Sequence, residues 1–330
     1  MAKIAVITGA GAGVGRATAL EFARHGYDVA LLSRDPERLE SLATEVRAVG
    51  RRALPISTDV AMPEEVEVAA DRVEQEFGPI DTWVNVAMAT VFAPVCELTP
   101  AEVLRATQVT YLGQVYGMMA ALKRMRARRH GTIVNVGSAL AYRSVPLQAA
   151  YCGAKAAVRG FTDSLRSELM HERLPIRLTM VQLPAVNTPQ FDWARNKMER
   201  KAQPLPPIFE PETAARAIHF AATHPRREIW VGFSCLRAII ANRIVPGLLD
   251  RYLAKQGYSA QLSSAPLPGP APGNLFHPVA GYQTAHGRFD AQASAKSVEL
   301  FTDRHRQAVV LGVVVAAALA LRAVVRRRGR

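Results

Sequence analysis

Seven short apolar runs, at residues 3–7, 29–32, 53–57, 80–86, 131–137, 176–183 and 228–232, alternate with stretches of helical periodicity. Few architectures accommodate that pattern. Unbroken apolar strands are buried on both faces, and strands separated by helices run parallel. The economical solution is an α/β fold, a doubly wound parallel sheet of the Rossmann type with right-handed crossovers. The alternation fills residues 1–235. Residues 236–258 read as a C-terminal helical extension broken at Pro246-Gly247, and the Pro- and Gly-rich stretch 259–296 reads as a linker. Residues 297–330 return to a helical, apolar and basic pattern.

The first strand-to-helix turn is Thr8-Gly9-Ala10-Gly11-Ala12-Gly13-Val14-Gly15. Glycines let the chain turn tightly and let a pyrophosphate approach the helix N-terminus, where free N–H groups favour negative charge. A structural turn has the same composition. The position of this one, between the first strand and helix of a βαβ unit, favours a dinucleotide and nominates Gly9, Gly11, Gly13, Val14 and Gly15 as its cradle. The second strand ends in Ser33-Arg34-Asp35. An acid there would suit the ribose hydroxyl of NAD; an arginine suits a 2′-phosphate. Asp35 before Pro36 is a helix cap, so Arg34 argues for NADP(H) rather than NAD(H).

Tyr151-Cys152-Gly153-Ala154-Lys155 opens a predicted helix, and a spacing of four places Tyr151 and Lys155 on one face. A phenol of pKa ~10 shuttles protons poorly at neutral pH, and a fixed ammonium nearby would lower that value. Ser138 stands at the carboxyl end of the fifth strand, where ligands bind in such sheets.

Together these segments resemble the short-chain dehydrogenase/reductase family over residues 1 to about 235. The resemblance rests on Thr8-Gly9…Gly13…Gly15, Asp59-Val60, Asn85-Val86-Ala87, Val136-Gly137-Ser138, Tyr151…Lys155 and the Val181–Thr188 stretch, all in the family's order. It implies an NADP-dependent oxidoreductase acting on CH–OH or C=O groups. Tyr151 would be the general acid/base, Ser138 would bond the substrate oxygen, and Lys155 would hold the nicotinamide ribose. Asp59 and Val60 would meet the adenine, Asn85 and Ala87 the cofactor, and Val186 and Thr188 the carboxamide. Three departures stand out. The family's Asn-Asn-Ala-Gly reads Asn85-Val86-Ala87-Met88, its tetrad asparagine is replaced by Thr110, and its Pro-Gly after strand six reads Leu183-Pro184. Thr110 keeps a carbonyl and offers a hydroxyl for the proton relay to the lysine. The departures bear on turnover more than on cofactor binding. They motivate an alternative: a catalytically weak NADP-binding sensor or scaffold at a membrane.

Met88, Phe92, Leu140, Leu147, Phe191 and Trp193 lie near the site motifs in sequence, which predicts a lipophilic, uncharged carbonyl or alcohol substrate. The eight histidines show no ligand spacing, so no metal is expected, and Arg126, Arg128, Arg129 and His130 read as a solvated helix end. The three cysteines are scattered and suit a reducing compartment. No charged-then-apolar leader precedes the first strand, so no cleaved export signal is expected.

The formal charge is +13, but residues 301–330 hold seven Arg and one Asp, a net of +6. That charge sits beside Ala308–Leu321, which contains no polar side chain. Tail charge next to an apolar run suits a membrane surface and not nucleic acid. Allowing Arg322 to snorkel, an 18-residue helix would reach ~27 Å, close to a bilayer's hydrocarbon thickness. The expectation is a cytoplasmic catalytic domain tethered to a membrane by its C-terminus; a homo-oligomer is left open.

Overall fold

The computed structural model describes residues 2–305 except 268 and 270–272. Seven parallel strands form the central sheet: β1 (Lys3–Thr8), β2 (Tyr27–Ser33), β3 (Ala53–Ser57), β4 (Thr82–Asn85), β5 (Gly131–Ser138), β6 (Ile176–Leu183) and β7 (Glu228–Trp230). Their order is β7-β6-β5-β4-β1-β2-β3, with the reversal between β1 and β4. This is the doubly wound sheet the alternation predicts. Alternate residues of β1 feed opposite cores: Ile4 and Val6 join one buried cluster, Ala5 and Ile7 the other. Both faces are therefore dry, which is why the strands read as apolar runs rather than alternating ones.

Helices α1 (Gly13–Arg24), α2 (Pro36–Ala48), α3 (Pro63–Glu76), α4 (Pro100–Thr107), α5 (Gly113–Arg128), α6 (Ala149–His171) and α7 (Pro211–Thr223) connect the strands. Asp35 caps α2 as its position before Pro36 predicts, accepting the Arg38 amide at 3.1 Å. A π-helical turn, Gln108–Leu112, joins α4 to α5 and carries Thr110. Gly117 lets α5 lie against β4: a Cβ there would stand 2.2 Å from Asn85 Oδ1.

The helical extension appears as α8 (Phe233–Ile244) and α9 (Pro246–Gln256), divided where Pro246 predicts. The segment after it differs from the expected linker. Leu262–Pro266 pairs antiparallel with Arg200–Ala202, and Ala293–Ser294 pairs parallel with Ile208–Phe209. Leu275 is fully buried, and α10 (Val298–Arg304) sinks Leu300 into the core. Between these anchors, residues 273–289 form a strap lying across the carboxyl edge of the sheet. Its backbone carbonyls are taken up by arginines and amides of the body, which compensates for its lack of apolar periodicity.

Among the described residues no helix is long and apolar enough to cross a membrane. The expected apolar helix at 308–321 lies outside the described residues.

Candidate active site

The reversal in strand order opens a crevice at the carboxyl ends of β1 and β4, where ligands bind in such sheets. Here it is a cavity of about 550 Å³ running from the glycine-rich loop to Tyr151. The loop is folded so closely that side chains are barred from it. A Cβ on Gly15 would meet Gly9 O at 2.0 Å, one on Gly11 would meet Ser33 Oγ at 2.8 Å, and Gly13 has φ +57° beside Thr188. Bare backbone is thus presented to the cavity, as close approach of a pyrophosphate requires.

Beyond the loop, Arg34 and Arg38 line the cavity beside Ser33. Arg34 donates to the carbonyls of Asn274 and Phe276, the latter at 2.9 Å. Arg38 donates through Nε to Gly281 O at 2.7 Å, its guanidinium lies 4.5 Å from the centre of the Trp193 ring, and its buried Nη2 has no partner among the described residues. An unpartnered buried guanidinium nitrogen facing a cleft beside a second arginine suits a phosphate. The Gly13 amide donates to Thr284 O of the strap at 3.1 Å. Val14, Asp59, Val60, Ala87, Val186 and Thr188 also line the cavity. Asp59 accepts the Ala61 amide at 3.0 Å and pairs with Arg105, which holds the loop after β3 in shape.

At the other end, Ser138 leaves β5 and its hydroxyl accepts the Leu140 amide at 3.1 Å. Tyr151, in the first turn of α6, lines the same end of the cavity as Ser138. One turn on, Lys155 is buried; its Nζ donates to Val136 O at 2.6 Å and stands 5.7 Å from the centre of the Tyr151 ring. The electrostatics differ from the simple expectation of an ammonium lowering a phenol. Burial pushes the Tyr151 phenol above its ordinary value, with the nearby Ser138 side chain opposing, and burial pushes Lys155 down to about 7. The physical reason is that desolvation acts on both groups against their charged forms, and among the described residues no carboxylate sits beside the amine to hold its charge.

Three expected site residues lie elsewhere. Asn85 is buried beneath the cavity: its Oδ1 accepts from Trp83 Nε1 at 2.9 Å and its Nδ2 donates to Asn135 Oδ1 at 2.9 Å. It braces β4 against β5 and offers its side chain to no ligand. The Thr110 hydroxyl both donates to Ala89 O and accepts from Ala89 N, each at 2.9 Å. Those contacts use it to pin the loop after β4, so it is not free to relay a proton to Lys155. Leu147 is buried behind the wall, its carbonyl accepting the Ala93 amide at 3.0 Å, whereas Met88, Phe92, Leu140, Phe191 and Trp193 line the cavity as expected.

The sequence reading missed Arg38, whose signal was its place one turn after Arg34 at the start of α2. It also missed Asn274 and Pro278 of the strap and Leu249, Tyr252 and Leu253 of α9, which complete the lining. No local pattern announces those. Apart from Lys155, the charged side chain that the described residues bring to the substrate end is Arg143, whose Nη2 bonds Asp250 Oδ1 at 2.6 Å.

Comparison with known proteins agrees with this geometry. The family model described as short chain dehydrogenase matches residues 3–199. An uncharacterized oxidoreductase of Bacillus subtilis, YxnA, is 31% identical over 99% of this chain and 91% of its own length. The putative oxidoreductase SadH of Mycobacterium tuberculosis is 31% identical over 76% of this chain and 94% of its own. Among solved structures, an alcohol dehydrogenase from the archaeon Thermococcus sibiricus, complexed with 5-hydroxy-NADP, superposes with a TM-score of 0.61 at 27% identity, covering 69% of this chain and 95% of that one. The chain belongs to the short-chain dehydrogenase family and is an oxidoreductase of that family.

Proposed function

We propose that this oxidoreductase is an NADP(H)-dependent carbonyl reductase or alcohol dehydrogenase acting on a lipophilic, uncharged substrate. The observation that carries the reading is a single cavity lined at one end by Ser138, Tyr151 and the anchored Lys155 and at the other by the glycine-rich loop, Arg34 and Arg38. The neighbouring alcohol dehydrogenase binds an NADP derivative, and the acid after β2, Asp35, is engaged in capping α2 and pairing with Arg38. When bound, NADP(H) supplies or accepts the hydride. Ser138 holds the substrate oxygen, and Tyr151 donates its proton to that oxygen in reduction and takes it back in oxidation. Lys155, anchored to Val136 O, stands behind the phenol and supports the ribose. Met88, Phe92, Leu140, Phe191 and Trp193 exclude water and receive the apolar body of the substrate, and Arg143 is already neutralised by Asp250.

NADPH oxidation should be measured with a panel of aldehydes and ketones beside a cofactor-binding titration. Medium-chain and cyclic carbonyls are expected to give higher kcat/KM than short polar ones. The reverse order would overturn the substrate class. Binding without turnover across the panel would support the sensor reading, which the capture of Arg34 and the Gly13 amide by the strap favours.

For the C-terminus, the proposal is a membrane anchor at 308–321 with the catalytic body in the cytoplasm. Because Leu300 is core, the informative cut falls after residue 305 and not within the strap. The full chain is expected to pellet with membranes and require detergent, while a chain ending at 305 washes off in high salt. Full-length chain in the supernatant without detergent would rule out the anchor.

A further inference from the structure

Helices α8 and α9 wall the substrate end of the cavity with their inner faces, through Ser234, Ala238, Leu249 and Leu253. Their outer faces are apolar where a solvated helix would be polar. On α8, Phe233, Ile240 and Ile244 recur at helical spacing with 57, 46 and 72% of their surface exposed; α9 adds Leu248 and Tyr252 at 63 and 59%. Tyr252 also lines the cavity, so it stands at the rim between the two environments. The Gly232 amide donates to Ser297 Oγ at 3.3 Å, which brings the exposed Val298 to the start of α8 and extends the patch.

Cations are interspersed with these side chains. Arg237, Arg243, Arg251 and Lys255 are exposed and form no ion pair among the described residues, and the one acid on either helix, Asp250, is paired with Arg143. Apolar contact alone would fit a second copy of the chain. A two-fold contact between identical faces, however, would bring these four cations against their own counterparts. An anionic lipid surface accepts both features: the apolar side chains enter the headgroup boundary and the arginines meet phosphates. The apolar run at 308–321 begins three residues beyond the last described one, and α10, whose cap Ser297 meets the start of α8, precedes it in the chain.

We propose that the outer face of α8 and α9 is an interfacial docking surface for an anionic bilayer, and that lipophilic substrate enters the cavity from that bilayer past Tyr252. The second half rests on the substrate class proposed above; the first does not. This surface is distinct from the C-terminal anchor: an anchor sets only proximity, whereas docking through α8 and α9 sets orientation, with the cavity mouth facing the lipid.

The test uses the full chain with Cys96→Ser, leaving two buried cysteines, and an environment-sensitive fluorophore on Leu248→Cys. A second chain carries the label on Thr44→Cys, exposed on α2. With vesicles of phosphatidylcholine and phosphatidylglycerol, the label at 248 is expected to shift to shorter wavelength and to be quenched by nitroxide-bearing acyl chains, while the label at 44 stays unchanged. Adding Arg237→Glu with Arg251→Glu should move the vesicle titration midpoint of the 248 signal by roughly tenfold or more. An unchanged label at 248, or a shift that follows protein concentration without lipid and so reports a second copy, would overturn the docking surface. The fluorescence reads docking whether or not any carbonyl is reduced. Docking without faster reduction of vesicle-borne than of dispersed carbonyls overturns the entry route alone.

Discussion

Tyr151→Phe is expected to lower kcat by roughly 10²–10⁴-fold while NADPH affinity stays within about twofold, since a positioned acid/base group supplies a factor of that size. The substitution deletes the hydroxyl that Tyr151 brings to the Ser138 end of the cavity and retains the ring that faces Lys155 at 5.7 Å. The wall of the cavity therefore keeps its shape, and the loss should appear in the chemical step rather than in binding. Single-turnover NADPH oxidation beside a fluorescence titration separates the two. A variant retaining more than about a tenth of the wild-type rate would remove Tyr151 from the acid/base role. The raised phenol adds a direction with pH. At neutral pH Tyr151 is protonated and ready to donate, so reduction should proceed there without prior ionisation. Alcohol oxidation needs the phenolate and should accelerate as pH rises toward the raised pKa.

Arg34→Ala is expected to weaken NADP binding by about 10- to 100-fold and NAD binding hardly at all, because a charge-assisted bond to a phosphate contributes ~1.5–3 kcal/mol. The structure gives this variant a second reading to exclude. Arg34 also holds the carbonyls of Asn274 and Phe276, so its loss loosens the strap. Loosening would act on both cofactors alike. Titrating both with the same variant therefore distinguishes phosphate recognition from strap anchoring: equal losses assign Arg34 to the strap.

The sheet was legible in the sequence because both of its faces are dry. Runs such as 29–32 and 176–183 advertise themselves whatever covers them: the observed strand Tyr27–Ser33 extends the first by a residue or two at each end, and Ile176–Leu183 coincides with the second. The glycine-rich loop and the Ser138, Tyr151, Lys155 set were legible through spacing within single elements. What escaped the sequence depends on partners distant in the chain. Asn85 and Thr110 occupy the expected places, but Trp83, Asn135 and Ala89 decide where their side chains turn. Neither the ionisation of Lys155 nor that of Tyr151 could be read without knowing how thoroughly each is dehydrated. The strap escaped altogether. Its Pro and Gly content imitates a tether, and the carbonyls that fix it pair with residues some 240 positions earlier, leaving no periodicity to detect.

That separation has a consequence for the order of synthesis. Gly13 and Arg34 leave the ribosome among the first residues, and the strap carbonyls that cover them are added roughly 240–270 residues later. The cleft is complete only once Thr188 has been made, 86–96 residues before the strap carbonyls of Asn274 to Thr284, so at ~5–20 residues per second it stands unroofed on the growing chain for about 4–19 s. Loop closure over such a span contributes little until the last residues arrive, so the roof is among the final contacts to form. A nucleotide in the surrounding solution thus meets the nascent cleft before the strap does, and the chain can be born already loaded.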